Sequence, residues 1–257
     1  MTARTPPKKQ IKGNFSLGVP GAVAVSRIVD PLPRSLPVLR RAIVACRACP
    51  RLVAWREQVA REKVARFRDH DYWGRPVPGF GDPAARIVVV GLAPGAHGAN
   101  RTGRVFTGDR SGDFLYAAMH RAGLASQPAS TARDDGLILH DAYVVTTLRC
   151  VPPGNTPRPD EIARCAPFLD EELAALPNTR VLLALGAIAW KAVLDHRART
   201  VAAIRPRPAF AHGARVALGG SWLLGSYHVS QQNTQTGKLS PAMFDAVLAD
   251  AKAACRT

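Results

Sequence analysis

Arg86-Ile-Val-Val-Val-Gly-Leu92 is the stretch on which the fold turns. Its run of β-branched residues, with no polar residue alternating through it, predicts a strand buried on both faces, as at the centre of a parallel sheet. A glycine-rich loop follows over residues 91–109, then a predicted helix over 111–123 that Ser111 would cap. The alternation continues with a strand at 142–148, a helix at 160–176, a strand at 180–185 and a helix at 187–194. Short strands at 214–218 and 222–227 and a closing helix at 240–254 complete it. Upstream, Leu39, Ile43, Val44, Leu52, Val53, Trp55 and Val59 recur at helical spacing between residue 37 and about residue 68, with a break near Pro50. This order predicts an α/β protein, a three-layer α/β/α sandwich around a central, mostly parallel four-stranded sheet. Reactive groups in such sheets sit in loops beyond the carboxyl ends of the strands. Residues 91–109, 146–150 and 228–238 occupy such positions.

At 257 residues and 47% hydrophobic composition, the chain has enough apolar material for one substantial core. We expect a flexible basic arm over residues 1–36 and a single domain over 37–257. Lys and Arg number 35 against 19 Asp and Glu, a formal net charge of +16. Residues 1–41 hold eight of those bases and one acid, which leaves 27 against 18 in the remainder. The domain is thus basic without its arm, and a polyanion, most commonly nucleic acid, is the expected partner. There is neither an apolar stretch of membrane-spanning length nor an N-terminal apolar h-region. The expectation is a cytoplasmic monomer without membrane association, nucleoid-associated if bacterial.

Four cysteines frame the glycine-rich loop in sequence: Cys46 and Cys49 as C-x2-C, and Cys150 and Cys165 as C-x14-C. If the fold gathers them, they form a ligand set for an iron–sulfur cluster or a zinc ion. Zinc ribbons supply two close pairs, so the wide second spacing favours a [4Fe–4S] cluster. Cys255 has no partner nearby and reads as a small buried hydrophobe.

The first loop, GLAPGAHGANRTGRVFTGD over 91–109, is rich in glycine yet lacks both the Gly-Lys-Ser/Thr of a P-loop and a GxGxxG fingerprint. It reads as a loop for something planar and polar, with Phe106 as a stacking platform or a core anchor. Asp109, ahead of a helix, is either a functional carboxylate or a helix cap, and His97 and Asn100 are loop residues. The second, HVSQQNTQTGKL over 228–239, is dense in hydrogen-bonding side chains and suits a loop laid against a nucleotide.

These two loops and the cysteine frame resemble the family 5 uracil-DNA glycosylases, an iron–sulfur branch of the uracil-DNA glycosylase superfamily. The resemblance spans Cys46 to about Asp245. It implies an α/β/α fold, a structural [4Fe–4S] cluster on Cys46, Cys49, Cys150 and Cys165, and excision of deaminated bases from DNA. It further implies that Phe106 stacks on an extruded base and that the backbone around Gly91, Ala93 and Gly95 faces its polar edge, with His97 also in the base pocket. Asp109, His228 and Asn233 become the expected catalytic groups, and Ser230, Gln232, Lys238 and Leu239 the DNA-contacting ones, Gln232 or Leu239 filling the gap left by the flipped base. Two positions depart from the pattern. Ala93 stands where the better-known uracil glycosylases carry an acid, and Thr146 where relatives carry a base-reading Asn. The second departure leads us to expect activity beyond uracil, for example on hypoxanthine. The alternative is a non-catalytic, DNA-binding iron–sulfur sensor.

Overall fold

The computed structural model describes residues 1–2 and 35–256. The chain divides into two units, Met1–Leu32 and Pro33–Thr257. The expected basic arm falls almost entirely outside the described residues.

In the second unit the helical region breaks as its sequence suggests. Helix α1 (Leu36–Ala45) ends where Cys46 turns extended, and α2 (Pro50–Glu62) restarts with Pro50 in its first turn, where a missing N–H costs nothing. The remaining elements are β1 (Phe80–Gly81), β2 (Ile87–Gly91), α3 (Ala99–Thr102), α4 (Arg110–Arg121), β3 (Ala142–Thr146), α5 (Pro159–Ala174), β4 (Val181–Leu185), α6 (Ala187–Thr200), β5 (Arg215–Ala217), β6 (Trp222–Ser226), α7 (Gln231–Gln235) and α8 (Pro241–Ala254).

The sheet runs β1-β3-β2-β4-β6-β5. Its four central strands are mutually parallel, as expected, and two short antiparallel strands extend it at the edges to six. Every residue of β2, β3 and β4 is buried. The two-residue alternation of a strand divides these apolar side chains between two cores. Ile87, Val89, Val144, Leu183 and Leu224 pack with Leu115 and Met119 of α4 and with Phe244 and Leu248 of α8. Val88, Val90, Val145, Leu182 and Leu223 pack with Leu169 and Leu173 of α5 and with Trp190 and Val193 of α6. Each fully buried side chain of this size contributes about 1.5–3 kcal/mol relative to exposure, which is why a pleated run of Val and Ile settles between two helical layers.

Parallel pairing aligns Gly91 of β2 with Thr146 of β3, and Leu185 of β4 with Ser226 of β6. The loops after β2, β3 and β6 therefore open at one end of the sheet. No described helix is long and apolar enough to cross a membrane.

Candidate active site

The first loop is built around space that glycine leaves empty. A β-carbon at Gly91 would stand 2.7 and 2.8 Å from the Cζ and Cε2 atoms of Phe106, so the Phe106 ring rests on the end of β2 only because residue 91 has no side chain. Phe106 itself takes a positive φ of 51°, a conformation that costs a residue with a side chain on the order of 1–3 kcal/mol. A buried brace holds it there. The Arg104 guanidinium pairs with Asp135 at 2.6 Å, donates to Ser130 Oγ at 2.7 Å and donates to Thr107 Oγ1 at 3.0 Å. Arg104 and Thr107 lie within the quoted loop, and nothing local in the sequence announces the partners Ser130 and Asp135.

Asp109 fills the space left by two further glycines. Its Oδ2 would be 2.6 Å from a β-carbon at Gly95 and 1.8 Å from one at Gly98. Its Oδ1 accepts the Gly112 N–H at 3.0 Å, so Asp109 caps α4. The cap expected of Ser111 is displaced by two residues, because the helix begins at Arg110 and Asp109 has the extended backbone that an N-cap requires. Burial raises the Asp109 carboxyl above the ordinary aspartate range, against the lowering effect of the backbone donors at Gly112 and Ser111. One oxygen of Asp109 thus caps the helix and the other faces the 95–98 segment.

His97 hydrogen-bonds through Nδ1 with the Tyr72 hydroxyl at 3.1 Å. Desolvation lowers its pKa, assisted by the positive charges of Arg66 and Arg101. Arg101 ties the loop together by donating to the carbonyls of His97 at 2.8 Å and Gly108 at 2.9 Å. Ala93 is half-buried and has no ionisable group. Thr146 lies beneath the loop, 1% exposed, its hydroxyl bound to the Leu148 carbonyl at 2.6 Å.

The second loop meets the first at His228. The rings of Phe106 and His228 have centroids 6.3 Å apart and planes tilted by 37°. Burial lowers the pKa of His228, which favours the neutral imidazole. Asn233 donates through Nδ2 to the His228 carbonyl at 2.8 Å, so its side chain holds the loop in shape. Ser230 caps α7. Gln232 and Lys238 are exposed, the ammonium of Lys238 lying 4.9 Å from the centre of the Tyr227 ring. Leu239 is different: it is fully buried in the core beside α8 and does not reach the surface. The resemblance offered Gln232 or Leu239 to fill the gap, and here the Leu239 side chain is the first after the polar loop to return to the core. Of the two residues named for filling the gap, only Gln232 is exposed.

The fold thus brings Gly91, Gly95, Phe106, Asp109 and His228 to one end of the sheet, with His97 on the same first loop. Tyr72, Asp135 and Ser130, which hold this arrangement, escape a reading of local motifs because they act from distant segments.

The cysteines require a correction. Cys46, Cys49, Cys150 and Cys165 line a common small cavity. Among the described residues, however, no group of three or more His, Cys, Asp or Glu is placed to hold a metal ion, which overturns the expectation of a [4Fe–4S] cluster. Burial raises the thiol pKa values of Cys49 and Cys150 and pushes Cys165 up to about 12. Arg56 donates to Cys150 Sγ at 2.9 Å.

With this geometry in place, comparison with known proteins is informative. Residues 78–252 match the sequence profile of the Uracil DNA glycosylase superfamily. The chain is 56% identical over 211 residues to a type-5 uracil-DNA glycosylase of Thermus thermophilus, covering 82% of this chain and 94% of that protein. It is 52% identical over 220 residues to one of Mycobacterium leprae, covering 85% and 95%. A type-4 uracil-DNA glycosylase of Pyrobaculum aerophilum matches less: 32% over 127 residues, covering 49% and 57%.

Proposed function

This chain belongs to the uracil DNA glycosylase superfamily, matching type-5 members along more than four-fifths of its length, and from that premise we propose that it hydrolyses the N-glycosidic bond of uracil and of hypoxanthine in DNA. Its role is that of a DNA-repair glycosylase. The observation that carries the reading is the meeting of the two loops: Phe106 beside His228, with Asp109 seated against Gly95 and Gly98.

A base inside a duplex is out of reach of any side chain, so the nucleotide must leave the stack at a cost of a few kcal/mol, least for a mispaired base. The positive charge of the domain attracts the phosphates, and the Phe106 ring offers the extruded base a face on which to stack. Breaking the bond puts positive charge on the sugar and negative charge on the departing base. A carboxylate at Asp109 stabilises the first, and its Oδ2, not used in capping, can also orient the attacking water. A neutral imidazole at His228 has an N–H with which to stabilise the second. Asn233 acts on this step through the His228 backbone.

Base range follows from what reads the base edge. Thr146 has its hydroxyl committed to Leu148, so that position lacks a free amide able to demand one donor and acceptor pattern. This supports acceptance of hypoxanthine as well as uracil. The test is single-turnover incubation with end-labelled duplexes containing either base, followed by alkali to break abasic sites. Alkali-dependent cleavage at the modified position is expected. An intact strand with folded protein would refute the proposal.

A further inference from the structure

Behind the first loop lies a basic groove that the base pocket does not use. It is a cavity of about 830 Å³ between α1, the middle of α2 and residues 73–75. Arg40, Arg41, Arg47, Arg56 and Arg75 line it, against one acid, Glu57. Glu57 is engaged by Arg47 and lies 3.8 Å from Arg56, so it offsets those two arginines and leaves Arg40, Arg41 and Arg75. Among the described residues, Arg41 and Arg75 are exposed and have no acidic partner within salt-bridge distance. The groove continues into a second cavity of about 210 Å³ that shares Arg40 and Trp73 and adds Arg133. Trp73 organises this wall, with the guanidinium groups of Arg133 and Arg75 lying 4.8 and 5.7 Å from its ring centre. Contacts of this kind restrict long cationic side chains, and so reduce the entropy lost when they later bind an anion.

The groove is physically joined to the catalytic loop. Trp73 and Gly74 donate their N–H groups to the Arg101 and Asn100 carbonyls at 2.8 and 3.0 Å, and Gly103 leaves room for the Trp73 ring. The cationic wall and the first loop are therefore held together as neighbours.

We propose that this groove is a second DNA contact, holding the phosphodiester backbone of the strand that flanks the nucleotide in the pocket. It rests on the glycosylase reading for the choice of DNA as the polyanion and for the nucleotide in the pocket. The arrangement suits phosphates, because five of the ten lining residues are arginines and the one acid is already paired with Arg47. Such contacts position the nucleic acid and do not read its sequence.

The experiment is the salt dependence of binding to an undamaged duplex by fluorescence anisotropy, comparing the parent protein with Arg41→Ala/Arg75→Ala and Arg41→Lys/Arg75→Lys. Each phosphate contact removed should reduce the slope of log K against log salt by ~0.9, so the alanine pair should flatten it by about 1.8. The lysine pair should retain the parental slope, and single-turnover excision at saturating enzyme should match the parent in both. Superimposable slopes for all three proteins would overturn the proposal, as would an equal loss in the lysine and alanine pairs. A flattened slope in a protein without excision activity would support the groove while refuting the glycosylase reading.

Discussion

The Asp109 carboxylate occupies the space that a side chain at Gly98 would need: a β-carbon there would lie 1.8 Å from Asp109 Oδ2 and 2.9 Å from its Cβ. Capping of α4 ties the carboxylate to Gly112, so it cannot simply swing aside. Gly98→Ala should therefore displace the first loop and lower single-turnover excision by about 10²-fold, the scale expected when one stabilising group leaves a transition state. A parental rate in the alanine variant would show that Asp109 need not occupy this position.

Asn substitution separates the two roles of Asp109. Asparagine caps helices as well as aspartate, whereas alanine costs ~1 kcal/mol. Asp109→Asn should unfold at a urea midpoint no lower than the parent's and lose excision, while Asp109→Ala should lower the midpoint and lose excision. The pH profile gives an independent check. Burial raises the folded-state pKa of Asp109, so folding favours the protonated acid. The ionised form then carries a stability penalty that is absent below the ordinary aspartate pKa and complete above the raised one. Excision should rise with pH through a midpoint above the ordinary aspartate value, and Asp109→Asn should abolish that limb. An unchanged acid limb in the variant would assign it to another group.

The parallel core of the sheet was readable from the chain, and the fine structure of the site was only partly so. The continuous apolar run at Ile87–Gly91 marks a strand buried on both faces, and the parallel core follows from its alternation with helices. The edge strands Phe80–Gly81 and Arg215–Ala217 are two and three residues long, too short to show a period. Asp109 and Ser111 are both good capping residues, and only the backbone geometry chooses between them. Leu239 shows the limit of a local reading, because one apolar residue after a polar loop looks the same in sequence whether it enters the core or projects outward. The cysteine spacing announced proximity in a shared cavity, but spacing cannot report whether sulfur atoms converge as ligands.

Phe106 supplies a prediction about the base. Phe106→Leu retains an apolar side chain but removes the aromatic face, and stacking of a base on such a face is worth about 1–3 kcal/mol. Excision of uracil and hypoxanthine should both fall by roughly 10–100-fold, because a π face does not discriminate between them. Selective loss for one base would mean that Phe106 reads identity.

His228 should leave a mark on stability. Burial lowers its folded-state pKa, so its protonation favours the unfolded chain. The stability it allows is complete above the unfolded value near 6.5 and is lost as pH falls toward the lowered folded one. Urea unfolding should show a steeper decline between pH 7 and pH 5 in the parent than in His228→Gln. Parallel curves would indicate that the imidazole is solvated.

Away from the site, Arg149 and Glu172 form a buried ion pair at 2.6 Å, with side chains 1% and 3% exposed. Glu172 Oε1 also accepts from the Tyr143 hydroxyl and from the Gly79 N–H, each at 2.9 Å. Removing one partner of such a pair strands the other charge, at a cost of about 3–5 kcal/mol. Glu172→Gln should lower stability to urea by that amount, and a loss below about 1 kcal/mol would mean that water reaches Arg149.

The most direct test of the central claim is the single-turnover rate on a uracil-containing duplex for the parent, Asp109→Asn and His228→Ala proteins, read as alkali-labile breaks. The expected result is excision by the parent and a loss of at least about 10²-fold in each variant, with all three proteins folded. Parental rates in both variants would contradict the assignment of the chemistry to the meeting point of the two loops.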